Sequence, residues 1–274
     1  MATSRPVQQQ MPRIGIVMPA YNEAARIERT LTSIARYILD GAPIGPVNLA
    51  DYRSEDETIA VAERTAQVHG LPIEVLRFPH RGKALTVRAA MLEVADRAGI
   101  DYLMMLDADD ELPINQLDRV DWSADLDTIY IGRRVGAVGG LTAARPTVLR
   151  RAMSLAMRAA SRVLLGIRFP DTQCGFKLFP RAIAADLFNQ QRSTGWTFDA
   201  ELLYIADRVS GLPIVEIPVV WTPRGASRVR PAAAAISGLA MFGTAFRRLR
   251  RVYRPVAGRH PSGRATTSGA VLPT

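Results

Sequence analysis

The chain has 274 residues, 48% hydrophobic and 22% charged, which suits one large α/β domain with appendages, or at most two small ones. Its single cysteine, Cys174, excludes an internal disulfide and a cysteine-based zinc site and fits a reducing compartment. The net charge of +9 is concentrated late, because no Asp or Glu follows Glu216 whereas ten arginines do, and nucleic acid or an anionic membrane surface is the usual partner of such a segment.

Residues 1–12 lack the apolar core of a secretory signal and read as a disordered leader. Ile14 to Met18 is a first strand, closed by Pro19 and followed by Tyr21-Asn22-Glu23. Residues 24–39 carry the helical spacing Ile27, Leu31, Ile34, Ile38. Val47 to Ala50 is a second strand with Asp51 at its end, and a charged turn leads into a helix over 58–69. Ile73 to Phe78 is a third strand, followed by His80-Arg81-Gly82-Lys83 and a helix over 84–98. With the strand Tyr102 to Leu106, this alternation predicts a largely parallel sheet flanked by helices. Neither G-x-G-x-x-G nor G-x-x-x-x-G-K-[ST] occurs, so a glycine loop is not what would hold a nucleotide.

The strand 102–106 stops at Asp107, Asp109, Asp110 and Glu111. If the chain turns after Leu106, Asp107 and Asp109 can aim at one point at the strand's carboxyl end, where open α/β sheets bind ligands. Two carboxylates there call for a cation, and hard oxygen ligands suit Mg²⁺ or Mn²⁺ bridging a diphosphate. An acidic β-turn after a core strand is the plainer alternative. Further on, Thr128 to Gly132 is a strand ending at Arg133 and Arg134, and Leu149 to Leu165 is a helix. Arg150, Arg151, Ser154, Arg158, Ser161 and Arg162 fall within an arc of roughly 120° on that helix. Such a face is either simply solvated or, with no carboxylate in it, suited to phosphate.

A helix over 195–206, a strand Ile214 to Trp221 and a basic loop 222–230 follow. From Pro231 to Arg254 one more helix is predicted, with Leu239, Phe242, Phe246, Leu249 and Tyr253 on one side and Arg247, Arg248, Arg250, Arg251 and Arg254 opposite. It could lie in a membrane interface or pack on the body by its apolar stripe. Residues 255–274 are Gly/Pro/Ser/Thr-rich and expected to be disordered. No apolar run of about eighteen residues exists, so no membrane span is predicted.

Several stretches together resemble the family 2 glycosyltransferases of GT-A fold, and within them the polyprenyl-phosphate branch typified by dolichyl-phosphate glucosyltransferase and dolichyl-phosphate mannose synthase. They are Ile16-Val-Met-Pro-Ala-Tyr-Asn-Glu23, Arg81-Gly-Lys83, Leu106-Asp-Ala-Asp109, Asp171-Thr-Gln-Cys-Gly-Phe-Lys-Leu-Phe179, Trp196-Thr-Phe-Asp-Ala-Glu-Leu-Leu-Tyr204 and Trp221 to Arg228, in the family's order over about residues 13 to 230. The resemblance implies a GT-A domain over 13–230 and roles for individual residues. Pro19, Tyr21, Glu23 and Asp51 would border the nucleotide, with Lys83 and Ala108 also on the donor side. Asp107 and Asp109 would hold the metal and the donor diphosphate, and Glu111 stands at a third metal contact. Arg134, Arg150 and Ser154 match positions that grip the acceptor phosphate, and Arg228 replaces a lysine that closes on the diphosphate. Two positions depart from the family's Asp-Asp-Gly-Ser: Tyr52 stands at the second acid and Arg53 at the turn glycine, which leaves the nucleotide open.

The expected reaction is inverting, metal-dependent sugar transfer from a nucleoside-diphosphate sugar to a polyprenyl phosphate. An acceptor phosphate is already anionic and needs orientation more than a base; a sugar hydroxyl would need a carboxylate, for which Asp171 is the candidate. The basic helix would place the protein in the cytoplasm, peripherally on the inner face of the membrane. A same-fold transferase with a soluble sugar or natural-product acceptor is the rival. An inactive family member and a nucleic-acid binder are further alternatives, the latter disfavoured by the tail's apolar stripe and the lack of aromatic interleaving in the body.

Overall fold

The computed structural model describes residues 11–79, 82–135, 155, 158–222, 243–245, 247 and 251–256. The strands are β1 (Ile14–Ala20), β2 (Ile44–Asp51), β3 (Ile73–Arg77), β4 (Tyr102–Leu106), β5 (Ile129–Val135), β6 (Phe176–Pro180) and β7 (Ile214–Val220). They form one seven-stranded sheet in the order β3-β2-β1-β4-β6-β5-β7. All pairings are parallel except the two made by β6, which runs antiparallel to both β4 and β5.

The helices follow from the apolar spacing. In α1 (Ile27–Leu39), Ile27, Leu31 and Ile34 are fully buried, and in α3 (Lys83–Ala95) Val87, Met91 and Val94 are. α2 (Thr58–His69) stops at Gly70, whose φ of +61° supplies the left-handed cap. Strand residues alternate between two cores, with Val17, Leu103 and Met105 facing α3 and Ile16, Met18 and Met104 facing α1. β4 is buried along its whole length, as expected of a strand covered on both faces.

β6 and the helix Arg181–Gln190 that follows it were not foreseen from the sequence. The lysine in Phe176-Lys177-Leu178 breaks the apolar run, but Lys177 is itself 1% exposed and ion-paired. The register Leu106↔Phe176 then carries residues 171–175 past the end of β4, opposite Asp107. Because the chain steps outward from β1 to β2 and β3 and returns to β4, the crevice beyond β1 and β4 is the sheet's switch point.

Other elements shift modestly. β2 extends to Ile44–Asp51, and the helix expected over 195–206 runs Phe198–Tyr204 before widening into a π turn, Ile205–Val209. In the C-terminal segment Thr244, Tyr253 and Val256 are buried against the body, Tyr253 edge-on to Tyr204. Arg247, expected on the outward side of that helix, turns inward to Glu201. Leu239, Phe242, Phe246 and Leu249, residues 1–10 and residues 257–274 lie outside the described residues. Among the described residues, no helix is long and apolar enough to cross a membrane.

Candidate active site

The carboxyl ends of β1, β2 and β4 gather most of the expected donor-side residues. Asp107 leaves β4 directly, and Lys83 Nζ lies 2.5 Å from its Oδ1. Lys83 opens α3, where a cation opposes the helix dipole, so the lysine is there for the carboxylate rather than for the helix. Gly82 before it has φ +127°, a conformation that strongly favours glycine. Burial works against the charge on Lys83, but Asp107 and then Asp199 outweigh it and hold the proton on the amine.

Asp109 follows one residue after the buried Ala108, whose carbonyl accepts from Thr30 Oγ1 at 2.9 Å. Burial, and then the charge of Asp107, push the Asp109 carboxyl up to about 6. Arg26 Nη1 is 3.9 Å away, itself gripped by Glu23 through Nε and Nη2 at 2.8 and 2.7 Å. Glu23 thus acts on Asp109 through Arg26, a residue that sequence reasoning missed.

Gly175 shapes the other side. A Cβ there would stand 2.1 Å from Asp107 Oδ2, so only glycine leaves room for this carboxylate in its present position. Beneath the same cluster Lys177 Nζ is 2.8 Å from an oxygen of Asp199, with both side chains buried, and also donates to the carbonyl of Cys174. Burial raises the Asp199 carboxyl, against the pull of Lys177 and Lys83. No role was assigned to Gly175, Lys177 or Asp199 from the sequence, although a lone lysine inside an apolar strand was a usable signal.

The nucleotide-side residues sit on the adjoining loops. Pro19 lies within β1, paired with Ala50. The Asp51 carboxylate accepts the backbone N–H groups of Arg53 at 3.1 Å and Ser54 at 3.3 Å, closing its own turn. Arg53 has φ +68°, so the position retains a glycine-like backbone although it carries a side chain. Tyr52 stacks on Tyr21 with centroids 5.3 Å apart and planes at 19°. An aromatic pair therefore stands where the family has an acid.

Arg134, at the end of β5, forms a two-point ion pair with Asp171, Nε and Nη2 each 2.8 Å from a carboxylate oxygen. Burial opposes ionisation of Asp171, yet Arg134 holds it below the usual carboxylate range. Two residues given separate roles are thus partners. Arg134 also lies 5.9 Å over the Trp221 ring, and Trp221 Nε1 donates to Glu111 Oε2 at 2.8 Å. The Asp107 charge adds to that of Asp171 in keeping Arg134 protonated. Arg150, Ser154 and Arg228 lie outside the described residues.

Among the described residues, no three His, Cys, Asp or Glu side chains form a ready metal cage. Asp107 and Asp109 remain a fitting pair for Mg²⁺ or Mn²⁺, which commonly binds one or two carboxylates and completes its shell with substrate phosphate and water. The crowding that raises Asp109 and the cradle at Gly175 both favour a cation at this point.

Comparison with known proteins bears on this geometry. The Glycosyl transferase family 2 profile matches residues 15–188. Dolichyl-phosphate beta-glucosyltransferase of Drosophila melanogaster is 30% identical over 238 residues, covering 80% of this chain and 69% of its own. The human protein of the same name is 29% identical over 240 residues, covering 80% and 70%. Glucosyl-3-phosphoglycerate synthase from Mycobacterium tuberculosis, solved with Mn²⁺, UDP and phosphoglyceric acid, superimposes with a TM-score of 0.59 over 90% of this chain and 81% of that one, at 18% identity. The shared architecture is the GT-A fold.

Proposed function

The chain belongs to glycosyl transferase family 2 and is a glycosyltransferase, and on that premise we propose that it moves a sugar, with inversion, from a nucleoside-diphosphate sugar to a polyprenyl phosphate at a membrane surface. The observation that carries the reading is the crowded pair Asp107 and Asp109 at the end of β4, framed by Lys83 and Gly175. An oxygen of the acceptor phosphate forms the new bond to sugar C1 from the face opposite the diphosphate. The old C1–O bond breaks, and its electron pair leaves with the nucleoside diphosphate.

Asp107 and Asp109 would hold Mg²⁺ or Mn²⁺, which would supply charge stabilisation for the leaving diphosphate. Lys83, already protonated beside Asp107, adds a second positive group there. Arg134, held by Asp171 through Nε and Nη2, is proposed to meet the acceptor phosphate, and Arg150 and Ser154 to extend that grip. A carboxylate held ionised by an arginine is a weak base, which suits Asp171 to orienting Arg134. This favours a phosphate acceptor over a sugar hydroxyl.

On the nucleotide side, Tyr21 and Tyr52 present a stacked aromatic surface while Asp51 holds the turn beneath them. Pro19 and Glu23 border this side, and Arg228 closes on the diphosphate. Glu111, whose Oε2 accepts from Trp221 Nε1 at 2.8 Å, is proposed as the further ligand. The arginines of the C-terminal segment other than Arg247, which turns inward to Glu201, are proposed to hold the protein peripherally at an anionic surface, on the cytoplasmic face, each contributing on the order of 1 kcal/mol.

The test pairs donor binding with turnover. Thermal shift against nucleoside-diphosphate sugars with Mn²⁺ identifies the donor, since a bound ligand raises the melting temperature. Asp109→Ala is expected to remove that shift and lower transfer to polyprenyl phosphate by about a hundred- to a thousandfold, the scale of lost transition-state stabilisation, with the fold intact. Unchanged turnover would sink the metal role. Equal kcat/KM with a soluble sugar would replace the lipid acceptor.

A further inference from the structure

We propose that Glu201 is a positioning residue that joins the C-terminal basic segment to the Lys83–Asp107 pair; the inference rests on reading Asp107 as part of the metal-holding site. Glu201 lies on the helix Phe198–Tyr204 and is fully buried. Its Oε2 accepts the backbone N–H groups of Arg192 at 2.9 Å and Ser193 at 2.7 Å. Its Oε1 accepts from Tyr253 Oη at 2.5 Å and Arg247 Nη2 at 3.2 Å. Arg247 in turn donates from Nε to Tyr253 Oη at 2.9 Å and from Nη2 to Ser193 Oγ at 3.2 Å. One carboxylate is shared between the loop at 191–194 and a segment some fifty residues further along the chain.

That loop reaches the active site in one more step. Gln191, also buried, donates from Nε2 to the carbonyls of Ala84 and Ser193, both at 3.0 Å. Ala84 follows Lys83, whose amine is 2.5 Å from Asp107. Every step from Tyr253 to Asp107 is a direct hydrogen bond, an ion pair or a peptide bond.

A packing role alone would not require an acid at position 201, because a buried carboxylate is costly unless paired and an apolar residue would fill the space more cheaply. A carboxylate is needed where two backbone amides and a guanidinium from elsewhere must be held at once. Among the described residues Arg247 is the cation that partners it. Arg254 N–H, bonded to Gln190 Oε1 at 2.6 Å, and Val256 N–H, bonded to Ser210 Oγ at 3.2 Å, fasten the segment on either side of the same helix. The basic segment is therefore part of the domain that shapes the site, and docking it fixes the turn from which Lys83 meets Asp107.

The full chain tests this with Arg247→Met and Tyr253→Phe, which remove tail partners of Glu201 without touching Lys83 or Asp107. In metal-free protein, hydrogen exchange is expected to quicken at least about tenfold at the amides of Arg192, Ser193 and Thr86, leaving β1 unchanged, because local opening is read at the segments that open. Uniform acceleration across the chain, or none, would overturn the coupling. Mn²⁺ affinity of Arg247→Met is expected to fall about tenfold, the usual effect of disturbing a group that orients a metal ligand, and to fall no further when Arg247→Met is added to Lys83→Met. The same fall in both backgrounds would overturn the route through Lys83. If wild type binds no Mn²⁺, the metal reading fails, and the exchange data still decide whether Glu201 couples the segments.

Discussion

Two lysine–aspartate pairs of similar length belong to one electrostatic cluster yet occupy different surroundings. Lys83 and Asp107, 2.5 Å apart, keep 21% and 30% of their side chains exposed; Lys177 and Asp199, 2.8 Å apart, keep 1% and 6%. Distance does not separate them, but solvent access does. A pair open to water and ligand can trade partners, because a new ion replaces the old one as it leaves. A pair sealed between β6 and the helix Phe198–Tyr204 cannot, since either charge left alone would have no water to turn to. The first is therefore fitted to chemistry and the second to architecture.

The sharpest way to break this comparison is to delete one amine from each pair. Lys177→Met is expected to cost about 3–5 kcal/mol, the effect of stranding a buried charge, read as a lower denaturation midpoint with an unchanged slope. Lys83→Met is expected to change stability by about 1 kcal/mol or less, in line with a partly solvated pair. Equal losses would erase the distinction.

A smaller effect tests the cradle around the exposed pair. Gly175→Ala places a methyl group where Asp107 Oδ2 lies, so the carboxylate must rotate away from Lys83. Mn²⁺ affinity measured by titration should fall about tenfold, with little change in melting temperature.

The third pair, Arg134–Asp171, is unevenly covered, its side chains 38% and 14% exposed. Here the folded pKa of Asp171 is depressed. The stability it contributes is present above the unfolded carboxylate value of about 3.9 and is lost as pH falls through the folded pKa. Asp171→Asn should therefore cost about 1 kcal/mol at pH 7, the scale of a partly exposed pair, and nothing in strong acid. A loss that persists in strong acid, where the carboxyl is protonated in both the folded and unfolded states, would mean the residue is packed rather than ion-paired.

Legibility differed along the chain for physical reasons. Asp107 and Asp109 could be read because the apolar strand before them points to a strand end, where ligands gather. Tyr52 and Arg53 could be read as departures, but the stack on Tyr21 and the left-handed backbone at Arg53 needed coordinates. Asp171 and Arg134 each looked available for chemistry, and their mutual pairing was invisible because they meet only when β5 and the loop before β6 are brought together. Arg247 was placed outward by helical periodicity, which knows nothing of an acid on another helix.

Periodicity and end signals, both local properties of the chain, determined the parallel βα framework, the acidic end of β4 and the basic character of the last quarter. The antiparallel insertion of β6, the burial of Lys177 on Asp199, the clearance at Gly175 and the docking of Arg247 and Tyr253 on Glu201 were decided only by tertiary structure. A charge becomes structural or available according to which distant segment covers it, and that cover is assembled only when the sheet closes.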